Sequence, residues 1–233
     1  MAVNFVSATR KREGVAAHKV LQRALYNASS LYEINYLIGS ILSQDLKDVP
    51  FYMYFESNMG RRKPDVVIVF DDMRTNTITC HVVEVKTTSR PSYDRTGRDV
   101  VQQYQLRQGQ EQVRDVVQTL ISITGRGANL RVAGHVIFFQ QNTFEILYIT
   151  APVEPVVTTT DRTCFSQMLQ RTKNAAFHKF LQTTCAPDFP RAPYEQLEVP
   201  EPPYQPAAAA GTSQAKGKGA AKPRSAGRPR KGH

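Results

Sequence analysis

The 233-residue sequence has no tryptophan and only three cysteines, Cys80, Cys164 and Cys185. Cysteines so few, odd in number and widely spaced argue against a disulfide framework or a zinc knuckle, and fit a reducing compartment. No apolar run reaches the ~20 residues of a membrane-spanning helix, and Arg10, Lys11 and Arg12 are followed by no apolar stretch of the secretory kind. The expectation is a soluble, unsecreted protein whose partners include neither a membrane nor a small-molecule cofactor. Acidic residues are missing altogether from Pro202 to His233, where Lys216, Lys218, Lys222, Arg224, Arg228, Arg230 and Lys231 stand. Those seven carry most of the net charge of +10 and leave +3 for the rest of the chain. So concentrated a cation favours phosphate backbones or another anionic surface, which makes nucleic acid the leading partner.

What is present is ordinary globular material. Hydrophobic residues make up 41% and charged residues 21%, so a packed core is expected. The length suits one α/β domain over residues 1–185 followed by a tail over residues 186–233. In that tail Pro187, Pro190, Pro193, Pro200, Pro202, Pro203 and Pro206 interrupt regular hydrogen bonding, and the low-complexity Ala/Gly/Lys/Pro sequence from Ala207 onward is expected to be disordered.

Apolar residues at helical spacing predict a helix over residues 14–28. A second opens with the capping box Ser30-x-x-Glu33 and carries Leu31, Ile34, Ile38, Ile41 and Leu42 on one face to about Leu46. Three segments rich in β-branched and aromatic residues follow, at residues 51–56, 65–70 and 77–86. The polar link from Asp71 to Asn76 joins the last two as an antiparallel hairpin. Val113, Val116, Val117, Leu120 and Ile121 mark a third helix facing the sheet. A strand pair over residues 130–139 and 144–149 and one last helix over residues 164–181 complete the domain.

The chemistry gathers in the hairpin. A turn between Arg74 and Thr75 sets Asp65 directly across from Glu84, and the two-residue period of a strand puts Lys86 on the same face as Glu84. Two carboxylates on neighbouring strands suit a hard divalent cation such as Mg²⁺ or Mn²⁺, which keeps waters for a substrate phosphate to displace. Lys86 would orient the attacking water and stabilise anionic oxygen. The bland alternative is a strand-capping Asp65 with Glu84 and Lys86 paired on a solvated face. Charges inside otherwise apolar runs speak against it. Arg61, Arg62 and Lys63 precede the metal strand, where they either hold a nucleic-acid backbone or form a solvated turn. Gln112, on the helix after Lys86, either reaches the site or belongs to a polar face with its many glutamine neighbours. His18, His81, His135 and His178 show no ligand spacing and read as structural or exposed. In the tail, Arg228, Arg230 and Lys231 lie within a segment that fits both an AT-hook core and a nuclear or nucleolar localisation signal.

Pro64-Asp65 with Glu84-Val85-Lys86 resembles the PD-(D/E)XK signature of many nucleases. That resemblance implies a restriction-endonuclease-like core with a mixed central sheet flanked by helices. It makes Asp65, Glu84 and the Val85 carbonyl metal ligands, Lys86 the group that activates water, and Gln112 an auxiliary residue. With the Gly-Arg-Arg-Lys-Pro-Asp lead and residues 109–112, the chain over residues 14–180 is similar to the herpesvirus core family named after unique-long gene twenty-four, the gammaherpesvirus branch most of all. Membership implies the host nucleus and nucleolus, with the cytoplasm as a further place, and dispersal of host nucleolar proteins and arrest of the host cell cycle. Two functions stand on this reading. One is a Mg²⁺-dependent nuclease; the other is a non-catalytic nuclear regulatory protein on a nuclease-like fold, acting on nucleolar or cell-cycle proteins.

Overall fold

The computed structural model describes residues 8–183 apart from Thr124. The element order is α1 (Ala8–Asn27), α2 (Leu31–Ile38), β1 (Phe51–Phe55), β2 (Val66–Asp72), β3 (Thr77–Thr88), α3 (Val100–Ile121), β4 (Ala128–Gln140), β5 (Ile146–Ile149), β6 (Val153–Thr160), α4 (Arg162–Thr172) and α5 (Ala175–Thr183). The strands form one mixed sheet in the order β1-β2-β3-β4-β5, with β6 also paired to β4. The expected tail, with Arg228, Arg230 and Lys231, lies outside the described residues.

The β2–β3 hairpin has the anticipated register: Val66 pairs with Val83 and Asp72 with Thr77. From β3 the chain crosses over through α3 into β4, which pairs with β3 in parallel along its whole length, from Thr77↔Asn129 to Thr88↔Gln140. A parallel neighbour requires such a crossover, and a helix is the usual one. It fixes α3 on one face of the sheet.

Both faces of the sheet are covered. On one, Val67, Val69, Cys80 and Val82 pack under Val113, Val116, Val117 and Leu120 of α3 and under Phe165 and Leu169 of α4. On the other, Val66, Ile68, Phe70, Val83 and Val85 meet Leu21 and Leu25 of α1, Ile34 and Ile38 of α2, and Leu181 of α5. A strand buried on both sides reads as a continuous apolar run, and β2 is one from Val66 to Phe70. Asp65, one residue before that run, is buried with it, whereas Asp71 and Asp72 at its other end are partly exposed.

Three expectations are corrected. The helix opened by Ser30 ends at Ile38, not near Leu46, because Gly39 adopts φ 81° and its N–H bonds back to the Asn35 carbonyl at 2.9 Å. A left-handed cap of this kind is cheapest for glycine. The sheet has a sixth strand, β6, in a segment where no element was expected; Pro155 is tolerated there because β6 is an edge paired only to β4, with a register shift beside it. The last helix is two, because Lys173 turns to ψ 128° and Asn174 caps a new helix by accepting from the Phe177 N–H at 3.1 Å. Among the described residues no helix is long and apolar enough to cross a membrane.

Candidate active site

Asp65 stands one residue before β2, and Glu84 lies on β3 one residue beyond Val83, the partner of Val66. Alternation along the strand puts Glu84 and Lys86 on the α3 face, between the inward-facing Val83 and Val85 of the other side. The two acids are only 6% and 5% exposed. Asp65 Oδ2 accepts from the Val85 N–H at 2.6 Å. Within a strand, a residue that offers its N–H to one neighbour directs its carbonyl to the same edge, so the Val85 carbonyl also faces Asp65.

Lys86 is held at both ends of its reach. Its Nζ donates to Glu84 Oε1 at 2.8 Å and to Gln112 Oε1 at 2.9 Å. Gln112 arrives because α3 lies close on the sheet, and Gly109 is the reason. A Cβ at Gly109 would stand 2.9 Å from Val136 Cγ1 and 3.1 Å from Lys86 Cε. Gly109→Ala is therefore expected to lower the melting temperature, although alanine favours a helix interior by roughly 1 kcal/mol, because overpacking costs about 1–3 kcal/mol. A thermal melt no lower than wild type would show that α3 can rise off the sheet freely.

The electrostatics follow from burial. Removal from water, and then the neighbouring Asp65 carboxylate, push the Glu84 carboxyl up to about 7, while Lys86 and His18 pull the other way. Two carboxylates share a desolvated site with too little compensating charge. His18, set aside in the sequence as structural or exposed, belongs here: its Nδ1 lies 3.3 Å from Asp65 Oδ1. Burial works against an imidazolium, but the Asp65 carboxylate outweighs it and the net direction of the His18 pKa is upward. Gln22, one turn later on α1, donates to the Asp65 carbonyl at 3.1 Å and to Glu56 Oε1 at 3.0 Å. Sequence reasoning missed both residues. They flank the buried stripe of Leu21 and Leu25 at helical spacing, but nothing local ties α1 to a strand some forty residues away.

Other candidates are placed differently. Arg62 Nε donates to Asp115 Oδ2 of α3 at 2.7 Å, which ties the turn before β2 to the helix, while Arg61 and Lys63 are exposed. Glu33 is occupied by its cap, accepting from the Ser29 N–H at 2.6 Å and the Ser30 N–H at 3.2 Å. Among the described residues, no group of three or more His, Cys, Asp or Glu side chains is arranged to hold a metal ion. A donor set of two carboxylates and one carbonyl nonetheless suits Mg²⁺, which takes one or two protein carboxylates and keeps its waters. The upward shift at Glu84 marks a place where added positive charge is favoured.

The family model described as herpes virus proteins UL24 and UL76 matches residues 4–180. This chain belongs to that family. It is 47% identical over 231 residues to the protein UL24 homolog of Elephantid herpesvirus 1, with 99% of each chain covered. The homolog from Human herpesvirus 7 is 26% identical, covering 64% of this chain and 65% of its own. That from Alcelaphine herpesvirus 1 is 30% identical, covering 65% and 58%. No solved structure matches the chain. The family match contains every site residue named from α1 to α3 and stops before the basic tail.

Proposed function

We propose that this UL24-family protein is a divalent-metal-dependent phosphodiesterase acting on nucleic acid, on a PD-(D/E)XK-type core. The observation that carries the proposal is a Lys86 ammonium fixed between the buried Glu84 carboxylate and Gln112, with the buried Asp65 carboxylate near enough to help raise the Glu84 pKa. Asp65, Glu84 and the Val85 carbonyl would hold Mg²⁺ or Mn²⁺, which when bound supplies positive charge to the phosphate and acidifies a water.

The chain's own residues account for the rest. Glu84 and Gln112 each take one of the three Lys86 donors, which leaves the third for an attacking water or a non-bridging phosphate oxygen. Gln112 holds the ammonium from the far side, so Lys86 need not be ordered at the moment of reaction. Val85 N–H fixes the Asp65 carboxylate. Arg61 and Lys63, exposed just before Asp65, would follow a backbone of phosphates. In the tail, Arg228, Arg230 and Lys231 supply charge for a nucleic-acid contact or for transport to the host nucleus and nucleolus.

A second reading has an observation of its own. The Lys86 ammonium is already satisfied by two partners, so the network also suits a structural knot in a non-catalytic nuclear protein that binds host nucleolar or cell-cycle proteins. The experiment that separates the two incubates the purified chain with Mg²⁺ or Mn²⁺ and single- and double-stranded DNA and RNA. Lys86→Met keeps the stem and removes the charge. It is expected to abolish metal-dependent cutting while the far-ultraviolet spectrum stays native. Cleavage that survives Lys86→Met refers the activity to a contaminant, and a wild-type chain that cuts none of the four substrates favours the second reading.

A further inference from the structure

Asp65 is held from three sides, and only one of them is the sheet. Val85 N–H bonds Oδ2 at 2.6 Å. His18 Nδ1 stands 3.3 Å from Oδ1, and Gln22 Nε2 donates to the main-chain carbonyl at 3.1 Å. His18 and Gln22 are four residues apart on α1 and so share a face of it.

This grip matters because of what Asp65 lacks. It precedes the first ladder pair of β2, Val66 with Val83. The second torsion of an aspartate is a broad, two-fold one, so its carboxylate plane is set by hydrogen bonds rather than by a rotamer well. Gln22 is 2% exposed and commits its amide to Asp65 and to Glu56 together. Glu56 itself sits at φ 47°, an uncommon conformation for a residue with a side chain, and its N–H makes only a 3.4 Å contact with the Asp65 carbonyl. A buried amide that spans a candidate ligand and a strained neighbour is an arrangement for holding that ligand still.

We propose that His18 and Gln22 are positioning residues for a divalent-cation site, clamping the carboxylate and the carbonyl of Asp65 so that α1 sets how tightly the site takes the ion. The inference rests on the metal-dependent reading of Asp65 and Glu84 given above. Groups that orient metal ligands without touching the metal govern affinity by about 10–100-fold. The sheet delivers two carboxylates to one place, and α1 gives one of them its direction.

The test is calorimetric titration of the full-length chain with manganese chloride alone, at neutral pH and without nucleic acid. Gln22→Leu and His18→Leu are each expected to weaken Mn²⁺ binding by about 10–100-fold with native circular dichroism retained. His18→Asn keeps a neutral nitrogen donor near the position of Nδ1 and is expected to bring most of the affinity back, which a packing role for the ring would not do. Wild-type affinity in Gln22→Leu and in His18→Leu, with Glu84→Gln losing the ion, overturns the positioning role and leaves the metal reading standing. A wild-type chain that takes up no Mn²⁺ overturns both. Should Gln22→Leu fail to fold, the contrast between His18→Leu and His18→Asn decides the matter.

Discussion

Glu84→Gln is expected to abolish cleavage and, without metal, to make the protein more stable at neutral and alkaline pH. The catalytic half follows from the proposed function, since the amide removes the proposed metal ligand and the anion that positions Lys86. Losing one preorganised electrostatic group of this kind typically costs on the order of 10²–10³ in rate, and losing a ligand as well costs more. The stability half follows from the raised carboxyl. A group whose folded-state pKa lies above its unfolded value stabilises the fold below the unfolded value and loses that contribution as pH rises through the folded one. For Glu84 the window runs from 4.5 to about 7. The shift corresponds to roughly 3 kcal/mol at its upper bound, or several degrees of melting temperature in a domain of this size. Lys86 keeps its bond to Gln112 and finds an amide oxygen where the carboxylate was. Melting curves of the two proteins should therefore coincide near pH 4.5 and separate as pH rises, the variant lying higher. Equal melting temperatures at pH 8 would mean that Lys86 and His18 already neutralise the pair.

Metal should reverse that order. An ion that binds only the folded protein stabilises it by mass action, so millimolar Mg²⁺ should raise the melting temperature of wild type more than that of Glu84→Gln. A site that destabilises its own fold until its cation arrives is a familiar cost of function. On the proposed function, it also accounts for a buried carboxylate just before the apolar run of β2 and a second within β3.

Much of this was legible in the sequence because it is local. The β2–β3 register followed from one turn and one alternation, and the ladder from Val66↔Val83 to Asp72↔Thr77 has it. Ser30 and Glu33 form the capping box their spacing announced. Errors came where a single backbone torsion or an edge position decides the outcome: Gly39 ends α2 through φ 81°, Lys173 breaks the last helix through ψ 128°, and β6 carries a proline that only an edge admits. By spacing Gln112 was one glutamine among many, and it was named on the nuclease resemblance alone. What singles it out is Gly109, whose missing side chain lets α3 settle onto Lys86. His18 and Gln22 meet Asp65 only through tertiary packing, and no periodicity encodes that.

Acid should unfold the protein through its buried histidines, and Glu84→Gln should expose this limb most clearly. His81 is 8% exposed, its ring stacks on His135 at 5.9 Å, and its Nδ1 has no hydrogen-bond partner. Burial, with the charge of His135 behind it, pushes its pKa down to about 4. His178 is driven down to about 4 by burial as well, and its Nε2 accepts from the Phe55 N–H at 3.3 Å, a bond that protonation removes. For a histidine lowered in the folded state, the unfolded chain binds the proton first. Stability is complete above about 6.5 and falls as pH drops toward 4. His81 alone accounts for about 3 kcal/mol across that window, a large part of the 5–15 kcal/mol typical of a domain. In wild type the Glu84 carboxyl gains stability over much of the same range, so the two slopes oppose and the acid limb is shallow. Removing the carboxyl takes away one opposing contribution, leaving those of His18 and Glu56, whose pKa values are also raised in the fold. Melting temperatures between pH 8 and 4.5 should fall more steeply in Glu84→Gln than in wild type, and His81→Leu in that background should flatten the fall. An unchanged slope in the double variant would take His81 out of the acid response and leave it to His178 and His135, whose pKa values burial also lowers.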